Sequence, residues 1–414
     1  MQVENVVILG SGPAGCAASL FLGKAKVPHL ILDKSTFPRD KVCGDGLSPK
    51  VTHVLRKYDE RLIREMASRP AEFAPGWGGS VFSPNNKRLD IPVKMRSDLP
   101  PGFVARRMEF DHFLTTQLDK NYANLIQGAN VTNLQQTPAG IEITYTQGQE
   151  TRQVLAKVLI GADGDRSLVR KTFTDWKIDG KHYGAGVRAY YKGVKGLHPQ
   201  NYIEFYFLEE VLPGYFWIFP LPGDEGRANV GAVMLSDSVS KRKINLKDLM
   251  LNALATNPIL KERFADAELD GKIMGWGLPM GSKLPTLSGD NFMLVGDAAS
   301  LIDPILGEGI GNALYSGMLA AEAATKALTE QTFSAAFFKE NYDVRIKRCL
   351  GSDLKLSHFF QRVCSNPRVI NFLVGKAERN PVFMEMVSCV FDDMEMREKL
   401  FSPLFYFRLL WGFF

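Results

Sequence analysis

Gly10, Gly12, Gly15 and Asp33 are the first residues whose types and spacing imply chemistry. Gly10-Ser-Gly12-Pro-Ala-Gly15 follows the β-branched run Val6-Val7-Ile8-Leu9 and opens an apolar helix from Cys16 to Gly23. In that order Gly10 allows a tight turn, Gly12 lets backbone approach a pyrophosphate, and Gly15 lets helix pack on strand, while the helix N-terminus stabilises the phosphate charge. The next strand, His29 to Leu32, ends at Asp33, about twenty residues into the unit, where an acid accepts hydrogen bonds from an adenosine ribose. Strand, turn, helix, strand and acid in this order imply a dinucleotide site. A structural glycine-rich turn is the plainer alternative.

Two later stretches end strands in the same way. Leu159-Ile-Gly161-Ala-Asp163-Gly164 precedes a helix with Ser167 at its start, and Phe292-Met-Leu-Val-Gly296-Asp297 is followed by Asp303-Pro304 and Gly307-Glu-Gly309-Ile310. Asp297 at a strand end can hold a ribityl hydroxyl, and the Gly307 to Gly309 turn can bring backbone amides against a flavin ring. The helix after it, through Leu314, Met318 and Ala321, points its positive end at that ring. Singly, either stretch reads equally as a loop with an acidic helix cap.

Together with the N-terminal motif, these stretches resemble the fold family of FAD-dependent hydroxylases and reductases. Arg107-Met-Glu-Phe-Asp111 is similar to that family's RxxFD helix start, whose arginine touches the ribityl or phosphate part of the cofactor; a surface ion pair is the alternative. Within the family, Lys41-Val-Cys43-Gly44-Asp45-Gly46 looks like the KxCGGG segment of the geranylgeranyl reductases, with Asp45 in place of the middle glycine. Tyr215-Phe-Trp217-Ile-Phe219-Pro220 and Asn229-Val-Gly231 are similar to the same group's YxWxFP strand and its VG partner. The resemblance implies FAD contacts at Pro13, Ala14, Lys34, Arg39, Cys43, Gly44, Gly46, Val131, Asp163, Gly164, Gly296, Pro304, Gly309 and Ile310, beside the glycines and acids above. It also implies saturation of prenyl C=C bonds, with hydride from reduced FAD and a proton from Cys43, Tyr215 or water. Alternation places Tyr215, Trp217 and Phe219 on one face, a wall suited to a long apolar chain; a plain aromatic core strand reads alike, and Cys43 reads also as a small buried hydrophobe.

Other chemistries are less well served. Halogenases share the FPR loop and the Asp303-Pro304 turn but carry a lysine on a strand near position 75, and between Ala71 and Pro84 there is none. Aromatic hydroxylation remains the alternative, followed by a non-catalytic electron carrier. With no second GxGxxG unit, NADPH binds transiently or ferredoxin supplies the electrons. His112, His182 and His198 form no ligand cluster, so no metal is expected.

The elements that must position these residues define the fold expected. It is an α/β protein with a GxGxxG FAD-binding, Rossmann-like domain, an antiparallel β-sheet substrate domain and a helical C-terminal region. The cofactor elements lie at 1–75, 100–180 and 290–330. Strands at 76–99 and 183–288, with a covering helix between Asn245 and Ala267, form the roof of a substrate cavity, and 331–414 is helical with breaks at Asn366-Pro367 and Asn380-Pro381.

The chain's 414 residues, 45% hydrophobic and 23% charged, exclude disorder. A net charge of +5 suits an anionic lipid head or membrane surface but is too small to argue for nucleic acid. Cys16, Cys43, Cys349, Cys364 and Cys389 lie far apart without a CxxC pair, which favours a reducing cytosol. No window reaches the roughly 18 to 20 apolar residues of a membrane span. The last fourteen residues, FSPLFYFRLLWGFF, either touch a membrane or close over the protein's own cavity.

Overall fold

The computed structural model of the chain describes residues 1–93, 98–223, 225–381, 383, 384 and 388. Two compact units emerge, each assembled from separated stretches: the first from Met1–Lys41, Arg107–His182 and Leu278–Ser357, the second from Val42–Arg106, Tyr183–Gly277 and the chain from His358 onward. These limits differ from the sequence-based division. Residues 42–75 fall in the second unit because the short strands Gly46–Leu47 and Ala74–Gly76 both pair with Gly102–Val104. Residues 331–357 fall in the first, where the Tyr342 hydroxyl donates to the Leu294 carbonyl (2.6 Å) and the Ser288 hydroxyl to Asp343 (2.7 Å).

An eight-stranded sheet underlies the first unit. The side chains of Val6, Val7 and Ile8 carry no polar atom to satisfy, and all three residues are fully buried. Their strand, Gln2–Leu9, therefore occupies the centre, parallel to His29–Asp33 on one side and to Glu150–Gly161 on the other. Ala123–Gln127 and Phe292–Leu294 extend the parallel set at either flank. The antiparallel hairpin Ala129–Thr137 and Gly140–Gln147 pairs with Glu150–Gly161. The strand expected over 292–299 is shorter, because Gly296, at φ +57°, turns the chain into a single tight turn over Gly296–Ala299. Helix Pro13–Lys24 packs on helix Ile310–Glu330, and a side chain at Gly317 would stand 2.2 Å from the Ala14 carbonyl oxygen, so the pair meets backbone to backbone.

In the second unit seven strands run in the order Glu268–Pro279, Tyr183–Lys192, Ala228–Leu235, Gly214–Pro220, Ile203–Tyr206, Gly78–Phe82, Arg88–Pro92. The four strands from Tyr183–Lys192 to Ile203–Tyr206 are antiparallel neighbours, as is the pair Gly78–Phe82 and Arg88–Pro92. Ile203–Tyr206 and Gly78–Phe82 pair in parallel; they come from distant parts of the chain, so no hairpin dictates their direction. Alternation along each strand sorts the side chains. Phe216, Ile218, Val230 and Ala232 pack against Leu246, Met250, Leu254 and Leu260. The helical stretch expected over 245–267 is two helices, Leu246–Thr256 and Pro258–Arg263, each capped by an asparagine side chain, Asn245 and Asn257. Such caps contribute about 1 kcal/mol each. On this same face buried Glu204 accepts from Arg263 Nη2 (3.1 Å) and from the Tyr206 hydroxyl (2.9 Å), so its charge is compensated.

Beyond the first unit's limit, Asn366 caps helix Pro367–Ala377 at the expected break. No helix among the described residues is long and apolar enough to cross a membrane. The apolar segment 401–414, candidate for membrane contact, lies outside the described residues, as does Cys389.

Candidate active site

In the first unit the glycine turn is dictated by close approach. Gly10 adopts φ +96°, and a side chain there would stand 2.5 Å from the Ala162 carbonyl oxygen and 3.3 Å from Asp163 Cα. The first and second motifs are therefore adjacent. A side chain at Gly15 would stand 1.9 Å from the Gly10 carbonyl oxygen. Gly12 caps helix Pro13–Lys24 without any side-chain acceptor, no acid occupies the first turn, and Pro13 fills a position with no N–H to lose. Ala14 is buried behind it. An uncapped helix N-terminus beside an open glycine is a fitting seat for a pyrophosphate.

Cations and acids surround that seat. Arg39 Nη2 stands 3.8 Å from where a Gly12 side chain would begin. Its Nη1 donates to Asp111 Oδ2 (2.7 Å), and Arg107, first residue of helix Arg107–Thr116, donates to both Asp111 oxygens from Nε and Nη2 (2.7 Å each). Asp111 thus holds two guanidinium groups in place. Asp33 is buried, its Oδ2 accepting from the Ser11 amide and hydroxyl (2.7 and 2.9 Å) and its Oδ1 from the Ser35 amide (2.7 Å). With about four acceptor positions on a carboxylate, one is left for a ribose hydroxyl.

Asp163 takes on two tasks. Its Oδ2 accepts from the Leu168 and Val169 amides (2.6 and 3.2 Å), capping the helix Leu168–Phe173 together with Ser167. Its Oδ1 is buried without a hydrogen-bond partner among the described residues. Burial raises the carboxyl pKa above its usual range. An orphan acceptor of this kind is satisfied by a ligand donor. Gly164 turns the chain at φ +76°, and buried Arg170 Nη1 donates to the Asp297 and Ala298 carbonyls (3.1 and 3.2 Å), tying this turn to the next.

Gly296 abuts the Ala14 and Ala313 side chains, so the third motif also reaches the first. Asp297 Oδ1 stands 3.8 Å from where a Gly309 side chain would begin. Between them, Asp303 Oδ1 accepts from the Ile305 and Leu306 amides (2.9 Å each), fixing the turn through Pro304, and Gly307 adopts φ +67°. Gly309 stands at the N-cap of helix Ile310–Glu330, where Glu308 Oε1 accepts from the Gly311 amide (2.6 Å). Lys34 is exposed and Val131 half-buried opposite Tyr145, and neither is drawn into these contacts.

In the second unit the Cys43 loop lies on the aromatic strand. Cys43 is a half-buried free thiol. Side chains at Gly44 and Gly46 would stand 3.1 and 3.2 Å from the Phe219 ring, so both positions rest directly on it. Asp45 between them is fully buried at φ +68°. Its Oδ2 accepts from the Tyr190 hydroxyl and from Asn229 Nδ2 (2.8 Å each). Asn229 Nδ2 also donates to the Cys43 carbonyl (2.7 Å), and Asn229 Oδ1 accepts from the Trp217 indole N–H (2.9 Å). Gly231 makes room for that indole: a side chain there would stand 2.2 Å from Trp217 Cζ2. Tyr215, Trp217 and Phe219 share one face as alternation requires, joined by Phe205 at 5.1 Å from Tyr215 and 5.3 Å from Phe219.

Sequence reasoning missed Asn229, Tyr190, Asp111, Ser11 and Phe205 as parts of these sites. Only register, with Tyr190 opposite Asn229 and Asn229 opposite Phe219, reveals the first two. His182 bonds the Ser282 hydroxyl (2.8 Å), His198 stacks on Tyr202, and His112 Nδ1 is buried without a hydrogen-bond partner among the described residues.

Similarity to known proteins accords with this geometry. Residues 4–332 match the model of a family described as FAD binding domain. A menaquinone reductase from Mycobacterium tuberculosis is 32% identical over 327 residues, covering 77% of this chain and 76% of that protein. A digeranylgeranylglycerophospholipid reductase from Methanosarcina acetivorans is 29% identical over 371 residues, covering 86% and 83%. Among solved structures, a geranylgeranyl bacteriochlorophyll reductase-like protein from Thermoplasma acidophilum matches with TM-score 0.79 at 24% identity, covering 92% of each chain. A flavin-dependent brominase matches with TM-score 0.72 at 24% identity over 94% of this chain and 95% of its own, so fold alone does not separate the chemistries. Because the family match runs through all three glycine motifs, the chain belongs to the FAD binding domain family and is an FAD-dependent oxidoreductase.

Proposed function

We propose that the protein saturates C=C bonds in the polyprenyl chain of a lipid, quinone or pigment precursor. The observation that carries this reading is the aromatic face of Tyr215, Trp217 and Phe219 with the Cys43 loop seated on it. A prenyl chain offers no polar handle, so it is held by dispersion against rings, and these rings have no polar competitor among them except the Tyr215 hydroxyl and the engaged Trp217 N–H.

FAD, seated by Gly10, Gly12, Asp33, Arg39, Asp163 and the Gly307 to Gly309 turn, supplies a hydride when bound and reduced. The protein's own residues do the rest. The aromatic face positions the alkene and excludes water, which matters because an unactivated double bond gives electrostatics little to act on. The Cys43 thiol or the Tyr215 hydroxyl delivers the proton to the second alkene carbon, and solvent replaces it afterwards. NADPH or ferredoxin, bound transiently, restores the electrons. The net positive charge favours a substrate with an anionic head, and the apolar segment 401–414 brings the enzyme to lipid.

An anaerobic titration tests this. The FAD of the purified protein is reduced chemically, a geranylgeranyl lipid is added, and the flavin's visible absorbance and the product mass are followed. Reoxidation with a gain of two hydrogens per bond is expected. A flavin that stays reduced until oxygen enters would replace this reading with aromatic hydroxylation.

A further inference from the structure

We propose that Asp45 is a positioning residue of this site, acting through its carboxylate on both the Cys43 backbone and the Trp217 indole. This deepens, and rests on, the prenyl-reductase reading. Three observations converge on it. Asp45 is fully buried, in a left-handed conformation that only glycine, asparagine and aspartate adopt at low cost. Its flanking residues lack side chains because the Phe219 ring lies against both, so Asp45 alone anchors the loop by a side chain there. Its Oδ2 accepts from two donors on different strands, the hydroxyl of half-buried Tyr190 in Tyr183–Lys192 and Nδ2 of buried Asn229 in Ala228–Leu235.

Asn229 is where the effect is transmitted. Its amide has two N–H donors and one oxygen. The oxygen is taken by Trp217, and the two donors go to the Cys43 carbonyl and to Asp45. The amide is therefore fully committed, and its orientation sets both the plane of the indole and the height of the Cys43 backbone above Phe219. Removing the carboxylate leaves the second Asn229 N–H without its acceptor in a buried place, and relief comes by rotation of the amide or lifting of the loop. Arg188 and Arg106 place their guanidinium carbons 4.0 and 4.7 Å from the Tyr190 ring centre.

Substitution separates the acceptor from the fold. Asp45→Gly tolerates the positive φ but has no acceptor; Asp45→Asn tolerates it and keeps an acceptor oxygen. In the FAD-loaded enzyme, alkylation of Cys43 by iodoacetamide, read by peptide mass, is expected to change by roughly tenfold in Asp45→Gly, the scale of one lost hydrogen bond to a charged group. Asp45→Asn is expected to restore it to within about threefold of the unsubstituted protein. For prenyl reduction, the loss in Asp45→Gly is expected in kcat, with KM little changed and the flavin content intact. If Asp45→Gly folds poorly, Tyr190→Phe, which removes one donor and keeps the loop sequence, is expected to shift the same alkylation rate in the same direction by a smaller factor. An alkylation rate that none of these changes move, or one that Asp45→Asn fails to restore, overturns the proposal. Alkylation needs no substrate, so failure of the unsubstituted enzyme to reduce any prenyl lipid would strike the functional reading and leave the Asp45 result standing by itself.

Discussion

Gly231 and Trp217 show how a single missing side chain decides the character of the site. The indole occupies space that any β-carbon at 231 would invade, and its N–H is satisfied by Asn229 two residues away. Gly231→Ala is therefore expected to push the ring off the strand and to lower stability by about 1–3 kcal/mol, read as a drop in urea midpoint with an altered tryptophan emission. Truncating Trp217 to Ala removes a buried ring at a cost of roughly 3–5 kcal/mol, so the sharper probe is Trp217→Phe, which keeps most of the packing and loses the bond to Asn229. Lipid turnover is expected to fall in that variant while the purified protein keeps its yellow FAD; loss of FAD instead would count against the aromatic face as a substrate surface. At this scale much was legible. The GxGxxG glycines, Asp33, Trp217 and Cys43 announce themselves by type and spacing. Asp111, Ser11 and Asn229 stand inside quoted motifs without showing their roles, because polar residues that serve other residues have no periodic signature and are understood only once their partners are located.

Among the elements, the meeting of helix Pro13–Lys24 with Ile310–Glu330 carries the cofactor site. Both helices have glycine at the N-cap, Gly12 and Gly309; the first has no side-chain cap, and at the second Glu308 Oε1 accepts from the Gly311 amide (2.6 Å). Gly317 lets them approach, and Gly317→Ala would set a methyl 2.2 Å from a carbonyl oxygen. We expect that change to separate the helices and reduce the flavin retained through gel filtration, with a stability loss of about 1–3 kcal/mol. Arg39→Ala, in contrast, is expected to leave the unfolding midpoint nearly unchanged and weaken FAD binding by roughly tenfold or more, as measured by titration of the flavin-free protein. Strands such as Gly214–Pro220 and Ala228–Leu235 were readable almost to the residue, since alternation and Pro or Gly breaks mark their length. Their partners were not. Hydrophobic period reports which face of a strand is buried and says nothing of its neighbour, which is why the parallel pairing of Ile203–Tyr206 with Gly78–Phe82 and the place of residues 42–75 emerge only from the structure.

For the molecule as a whole, pH enters through His29. Its ring is buried, with Nε2 against the Ser19 hydroxyl (2.7 Å) and Nδ1 against the Val27 carbonyl (2.8 Å), and burial lowers its pKa below the usual histidine value. The unfolded chain then binds a proton that the folded one resists, so stability is full above about pH 6.5 and declines as pH falls below it. Urea midpoints at pH 7.5 and 5.5 are expected to differ more in the unsubstituted protein than in His29→Gln; equal losses would assign the acid sensitivity elsewhere. A different consequence follows from the order in which the chain is made. In chain order the central strand Gln2–Leu9 precedes its neighbour Glu150–Gly161, and the Gly309 end of the cradle comes later still. Until the ribosome has passed that glycine the flavin cradle is incomplete. FAD therefore stabilises, by mass action, only chains that extend past Gly309, which makes the amount of enzyme a cell accumulates depend on its flavin supply.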